Sequence, residues 1–582
     1  MRKIRMKILL TAINAKYIHS NLAIYELSAY AEKYKENIEL AEYTINNQQE
    51  FILTDIYKRK PDVIAFSCYI WNIGIIESLI REIRQVMPDT PIWLGGPEVS
   101  YDVTQGLLAT PYVDGIMIGE GECTFKELAQ YYVEQNIELK DIRGIAYKWN
   151  GEIKVNPYRE PMNLSDVPFP YSDFELFKNK ILYYETSRGC PYSCSYCLSS
   201  IERGVRLRDL DLVKKELQMF LDAKVPQVKF IDRTFNCNPA HAMGIWSYIH
   251  EHDNGITNFH FEIAADILRD NELELLNKMR PGLVQLEIGV QSTNPDTIEA
   301  INRKMDFNVL TEKVNAVHRG NNIHQHLDLI AGLPYEGYES FGKSFDDVYG
   351  LRPNQLQLGF LKVLKGSPIF PQAKMHNIVY RKAAPYEVLF TKWLPFDDVL
   401  RLKQVEDVVE VYYNSGQFEM AIQFLEHFFK TPFALYEALG EYYEERGLFG
   451  VNHTRIARYE ILLDFFKERV TDGDVEAFAE ILVYDLYLRE NLKSRPKFAK
   501  DYGEYKKLYR EFYEDVERVK ELLPGYEDYS SKVLSRVTHA EHFSIDVPAV
   551  AKAGVVVKNE TIIVFDYKNR NPLDHQAKAI SI

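Results

Sequence analysis

Three thiols fall within eight residues, in Cys190-Pro-Tyr-Ser-Cys194-Ser-Tyr-Cys197, a C-x3-C-x2-C loop. Thiolates at this spacing are soft ligands suited to an iron–sulfur cluster. Three of them hold three irons of a cubane and leave the fourth iron open. A structural zinc site wants four ligands, usually as two paired knuckles, and no second C-x2-C exists in the chain, so Cys237 or a histidine would have to complete it. A purely electron-carrying cluster would want a fourth cysteine at a regular offset, and there is none. Cys68 and Cys123 stand in apolar or helix-start settings and read as small buried hydrophobes.

The elements that must position this loop read as a β/α series. From Ile181, ILYYETS, QVKFID, NFHFEI, LVQLEIG, QHLDLIA and QLQLGFLKV alternate with helix-compatible stretches. Six units fit an incomplete β/α barrel over 181–371, and the cysteine loop follows its first strand, at the strand ends where barrel active sites collect. Ahead of it, residues 1–140 hold five strand-like runs (KILLTAI, NIELAEYTI, DVIAFSCY, PIWLGG, VDGIMIG) separated by amphipathic helices. That pattern predicts a doubly wound, Rossmann-like α/β sheet whose ligands sit at the carboxyl ends of the strands. Residues 141–180 read as a hairpin turning at Asn150-Gly151, then a linker carrying Pro157, Pro161, Pro168 and Pro170. Beyond 372 the periods are long and helical, with a hairpin expected around VVVKNETIIVF, and the excess of tyrosine reads as helix-packing aromatics.

Composition bounds the function. A chain of 582 residues with net charge −15 repels phosphate backbones, which argues against nucleic acid. No run reaches the length of a membrane span and the N-terminal apolar run is too short for a signal core, so the expectation is a soluble protein of the reducing cytoplasm with no membrane partner.

With Tyr196 just before its last cysteine and a six-unit barrel around it, the loop resembles the radical S-adenosylmethionine (SAM) superfamily. The resemblance implies a [4Fe–4S] cluster on Cys190, Cys194 and Cys197, whose open iron is chelated by SAM, and cleavage of SAM to a 5′-deoxyadenosyl radical. It also implies SAM contacts along the barrel: Asp232 and Thr234 in FIDRTFN toward the amino end, Glu262 toward the ribose hydroxyls, Gln291 and Ser292 at the end of the fourth strand, and Arg303 toward the carboxylate.

Two glycine-bearing turns, Gly95-Gly96-Pro97-Glu98 and Gly119-Glu120-Gly121-Glu122, end the fourth and fifth strands of the first domain. Such turns let backbone approach a large ligand. Ahead of a radical SAM barrel, these turns and Ser67 in SCYIWN resemble the cobalamin-binding domain of B12-dependent radical SAM enzymes. There is no D-x-H-x-x-G; the single H-x-x-G, His241-Ala-Met-Gly244, lies in the barrel and lacks the Asp. A histidine lower ligand to cobalt from that motif is therefore not expected, and His19 reads as a turn or capping residue.

The resemblance implies an enzyme that methylates an unactivated carbon of a small-molecule or peptide substrate, fed by an electron donor such as flavodoxin or ferredoxin. Non-methylating cyclisation or rearrangement on the same architecture is the alternative, and a non-catalytic cobalamin or redox sensor is the alternative of another class. A tRNA methylthiotransferase would need three further cysteines in the first domain, where only Cys68 and Cys123 stand.

Overall fold

A computed structural model describes residues 5–201, 204–492, 494–526 and 528–582. The chain begins with β1 (Ile8–Asn14), α1 (Leu22–Tyr30), β2 (Ile38–Thr44), α2 (Gln49–Arg59), β3 (Val63–Ser67), α3 (Ile73–Val86), β4 (Ile92–Gly95), β5 (Gly115–Met117), α4 (Glu122–Glu134), β6 (Ile145–Trp149) and β7 (Glu152–Val155). These strands form one sheet in the order β2-β1-β3-β4-β5-β6-β7. The first five are parallel, as the alternation with helices predicts. Ile73, Ile76, Ile80 and Ile83 show how α3 packs, one buried stripe at helical spacing. The hairpin turns at Asn150-Gly151, with φ of 51° and 80° as a type I′ turn demands, and extends the sheet with antiparallel strands.

The proline-rich stretch that follows has no long element, but it is pinned. Tyr171 is fully buried, donates its hydroxyl to Tyr183 O at 2.7 Å and packs edge-on against Phe177. Proline removes donors and regular periods, while the aromatics still dock.

The second unit comprises β8 (Leu182–Tyr184), β9 (Ser187–Cys190), β10 (Gly204–Leu207), α5 (Leu210–Asp222), β11 (Gln227–Phe230), α6 (Pro239–Glu251), β12 (Asn258–Ile263), α7 (Asp270–Leu276), β13 (Val284–Gln291), α8 (Pro295–Ala300), α9 (Phe307–Gly320), β14 (His324–Ala331), α10 (Tyr338–Tyr349) and β15 (Gln355–Phe360). Six parallel strands run β15-β14-β13-β12-β11-β8, an open β/α barrel. β9 and β10 form a separate antiparallel ribbon in which Gly204 faces Cys190.

Next come α11 (Ile369–Gln372), β16 (Val379–Tyr380) and β17 (Val388–Phe390), then a helical region of α12 (Phe396–Val409), α13 (Glu419–Leu425), α14 (Pro432–Glu445), α15 (Arg455–Arg469), α16 (Val475–Arg489), α17 (Lys506–Glu514), α18 (Val516–Leu522) and α19 (Ser531–Val537). Tyr412, Tyr436 and Tyr459 are buried here with their hydroxyls bonded, Tyr459 to Gln417 O at 2.7 Å, so the tyrosine excess is packing. The chain closes with β18 (Thr538–Ile545), α20 (Val547–Ala553), β19 (Lys558–Asp566) and β20 (Lys578–Ser581). This corrects the expected hairpin at VVVKNETIIVF: Asn559-Glu560 lies inside β19, which pairs with β18 and β20 on its two sides. Among the described residues no helix is long and apolar enough to cross a membrane.

Candidate functional site

The cysteine loop leaves β9 at Cys190 and is held from both sides. Ser195 N donates to Ile301 O at 2.8 Å, Ile369 N donates to Ser195 O at 2.8 Å, and Asn302 Nδ2 donates to Ser193 Oγ at 2.7 Å. Cys190 Sγ lies 3.4 Å from Thr234 Oγ1. Arg303 reaches the loop from beyond β13: its guanidinium donates to Tyr196 Oη at 3.2 Å, lies 4.0 Å from Cys194 Sγ, and also donates to Gly289 O. Burial pushes the Cys194 thiol up, and the Arg303 charge opposes that. Thiolate character therefore depends on the cation beside it.

Asp232 does not open onto a ligand. Its carboxylate accepts from Thr186 N at 3.0 Å, Thr186 Oγ1 at 2.6 Å and Ser187 Oγ at 2.6 Å, and it is buried. It braces the strand that carries Cys190. Ser292 is likewise spent, donating to Glu336 Oε1 at 2.6 Å. Gln291, by contrast, sits at a register shift of β13 with φ of 74°, and its Oε1 has no partner. A non-glycine residue held there is strain of the kind found at ligand sites. Glu262 makes no tight ion pair, with Arg233 3.8 Å away, and burial pushes it up to about 7.

The first domain meets this loop across a cavity of about 470 Å³. Ser67, Gly95, Gly96, Gly119, Glu120, Gly121 and Glu122 line it from the carboxyl ends of β3, β4 and β5, while Arg188, Gly189, Leu198 and Arg233 line it from the barrel side. Glu98 is outside that lining, where it accepts from Tyr386 Oη at 2.8 Å. Arg188 stands among four carboxylates: it donates to Glu185 at 2.8 Å and to Glu122, with Glu120 at 3.4 Å and Glu26 at 3.8 Å. Burial pushes Glu185 up to about 7 and Glu26 well above the usual range, against the pull of Arg188. Glu120 goes the other way: burial raises it, but the hydrogen bond from Arg206 wins and holds it ionised. One oxygen of Glu122 faces the buried cavity edge unbonded.

Arg188, Arg206, Glu185 and Glu26 thus join the candidate site, and motif reading missed them. Arg188 carries a local signal, since it stands two positions before Cys190 at a strand end. His19 sits in a turn, donating its N–H to Lys16 O at 3.2 Å, and its ring reaches Tyr183 Oη at 2.8 Å.

The donors fit the groups these motifs imply. Three thiols on one short loop suit a multi-iron cluster. Arg303 Nε and Gln291 Oε1 are buried and unbonded near it, ready for a polar ligand.

Comparison with known proteins follows the same division. Residues 8–129 match the B12 binding domain, 184–348 the radical SAM superfamily, and 374–565 a protein family of unknown function, DUF4080. The cobalamin-dependent radical SAM methyltransferase TokK of Streptomyces tokunonensis is 24% identical over 70% of this chain and 62% of its own length. An anaerobic magnesium-protoporphyrin IX monomethyl ester cyclase of Cereibacter sphaeroides is 22% identical over 54% of this chain and 53% of its own. The chain therefore spans less than two thirds of either relative. Among solved structures, the cobalamin-dependent SAM radical enzyme OxsB superposes with a TM-score of 0.56 at 16% identity, covering 83% of this chain and 79% of that one. The radical SAM methyltransferase TsrM of Kitasatospora setae gives 0.53 at 18% identity, covering 66% and 80%. These likenesses fix the architecture as an α/β chain with a helical C-terminal region. The chain thus joins a match to the B12 binding domain, over 8–129, to a match to the radical SAM superfamily, over 184–348, with a cavity between the two.

Proposed function

We propose that the chain is a cobalamin-dependent radical SAM enzyme that methylates an unactivated carbon of a small-molecule or peptide substrate. The observation that carries this reading is the cavity itself, where the glycine-bearing turns of one domain face the base of the cysteine loop of the other. When bound, the [4Fe–4S] cluster with SAM supplies a 5′-deoxyadenosyl radical and cobalamin supplies the methyl group.

In this reading Cys190, Cys194 and Cys197 hold the cluster, and Tyr196 holds Arg303 beside it. Arg303 offers its charge to the SAM carboxylate, a pairing that guanidinium geometry favours. Thr234, Glu262 and Gln291 present polar atoms for the rest of SAM, with Glu262 facing the ribose hydroxyls. Asp232 and Ser292 act as positioning residues, through Thr186, Ser187 and Glu336. Ser67 and the turns at Gly95-Gly96 and Gly119–Glu122 cradle cobalamin, with Glu98 bracing the first turn from behind. Units of the chain divide at about residues 140, 180 and 371, and a reducing electron donor such as flavodoxin or ferredoxin delivers the electron.

The test is anaerobic reconstitution with iron, sulfide and cobalamin, followed by SAM labelled with a deuterated methyl group. Formation of 5′-deoxyadenosine together with labelled methyl on cobalamin supports the proposal. Deoxyadenosine without any methyl uptake supports cyclisation or rearrangement instead, the chemistry named for one relative. No SAM cleavage by the fully loaded protein returns the chain to a sensor.

A further inference from the structure

The C-terminal region holds a second cavity, of about 640 Å³, which shares no lining residue with the one between the first domain and the barrel. It is walled by α17, α19 and β18, in the part of the chain matched by a family of unknown function. A volume of this size takes a small organic molecule. Its floor is paired within itself. Glu541 on β18 is 2% exposed, and both its oxygens face Arg495 Nη1, at 2.7 and 2.8 Å. His539, two residues back on the strand, brings Nε2 to 2.9 Å from Glu541 Oε2 and stacks on Tyr487 with ring centroids 3.7 Å apart. The buried carboxylate has its countercharge in the wall and none to spare for a ligand.

The helical walls carry positive charge without partners. Lys506 and Arg510 stand one turn apart on α17, and Lys532 comes from α19. None of these three side chains has a hydrogen-bonded or ionic partner among the described residues. Of the other carboxylates at the cavity, Asp501 accepts from Gly503 N at 3.0 Å, and Glu514 pairs with no cation. In a chain of net charge −15, acidic partners are in excess, so three cations left open around one cavity make a local field of the opposite sign, even with Glu514 counted. A neutral donor stands beside them. Tyr509 Oη accepts from His542 N at 2.9 Å, which leaves its own O–H without an acceptor among the described residues. Burial, and then the charge of Glu541, hold that phenol protonated. Tyr502 and Tyr513 are buried next to it with their hydroxyls spent on Glu480 and Thr538, so they offer the cavity ring surface alone.

Two ammonium groups, a guanidinium and a phenol O–H are all donors. A group with several acceptor oxygens and more than one negative charge satisfies them together, and the tyrosine rings cover what that group is attached to. We infer that this cavity is a second ligand site that takes a small phosphate ester, with the phosphate held by Lys506, Arg510, Lys532 and Tyr509 and the organic part against Tyr502 and Tyr513. The inference does not depend on which reaction the barrel catalyses.

Isothermal titration calorimetry of the full chain tests it, with phenyl phosphate, glycerol 3-phosphate and phenol as separate probes. At least one of the two esters is expected to bind with a Kd of about 1 mM or tighter, and phenol is not. Lys506→Gln and Arg510→Gln are each expected to weaken the ester about tenfold, and Tyr509→Phe about threefold. Lys506 and Arg510 are exposed, so both charge variants should fold; should circular dichroism show otherwise for either, Lys532→Gln takes its place. Three results overturn the inference: no binding of either ester, phenol binding as tightly as the better ester, or equal ester affinity in wild type and the charge variants, which places the anion elsewhere on the chain.

Discussion

Arg188, two residues ahead of Cys190, donates to Glu122, the residue that opens α4 in the first domain. One guanidinium thus ties the cysteine loop to the turn that faces it across the cavity, with Glu185 and Glu26 pressed against the same charge. The surroundings hold Arg188 protonated: burial works against the charge, but the carboxylates outweigh it. Removing one partner from a buried ionic group leaves the others uncompensated. Arg188→Met is expected to cost about 3–5 kcal/mol in urea unfolding near neutral pH. The cost should shrink toward pH 5, where the stranded carboxylates take up protons. A loss below about 1 kcal/mol at neutral pH would show the cluster to be a solvated surface group rather than a buried tie.

The proposed sorting of the thiols into ligands and bystanders is measurable. Cys190→Ala, Cys194→Ala and Cys197→Ala are each expected to lose the iron and visible absorption of the anaerobically reconstituted chain. Cys68→Ala is expected to keep both, because Cys68 is fully buried and burial pushes its thiol well above the usual range. Equal iron loss in all four variants rejects the assignment of the cluster to this loop.

Much of the architecture was legible because its signals are local. Alternation with period two marked QVKF, NFHFEI and QHLDLIA as strands, and the thiol spacing marked the loop. What stayed hidden depends on long-range meeting. Nothing near Glu122 announces Arg188, 66 positions away, as its partner. Tyr386 and Glu98 are separated by 288 positions, so that brace is equally invisible. Asp232 and Ser292 were expected at a ligand because of where they stand on their strands, but neighbouring hydroxyls and Glu336 take up their oxygens. The misplaced C-terminal hairpin has the same origin: β19 finds its partners in β18 and β20, not within its own sequence.

Gly96 offers a test of the first domain that leaves the cluster alone. Its φ is +113°, and a Cβ there would stand 2.5 Å from Cys68 O. Gly96→Ala therefore strains the turn by about 1–3 kcal/mol and pushes it toward the cavity. Cobalamin retained after gel filtration should fall about tenfold, while iron per chain is unchanged. Full cobalamin retention in this variant would separate the turn from cobalamin binding.

Glu262 makes stability depend on pH in a direction that can be worked out. Burial pushes its carboxyl up to about 7, whereas in the unfolded chain it titrates near 4.5. Below pH 4.5 both states hold the proton and the group contributes nothing to the difference. As pH rises from there to about 7, the unfolded chain loses the proton first, so stability falls, and above pH 7 the full penalty of about 3 kcal/mol remains. Glu262→Gln carries no ionisable proton and escapes this loss. The cofactor-free variant is expected to match wild type at pH 4.5 in urea unfolding and to exceed it by about 2–3 kcal/mol at pH 8. Its affinity for SAM in the loaded protein should fall at the same time, because an amide offers the ribose hydroxyls a weaker acceptor than a carboxylate. A variant that gains no stability between pH 4.5 and pH 8 places the Glu262 carboxyl in water, and one that gains stability without losing SAM affinity removes it from the SAM contact.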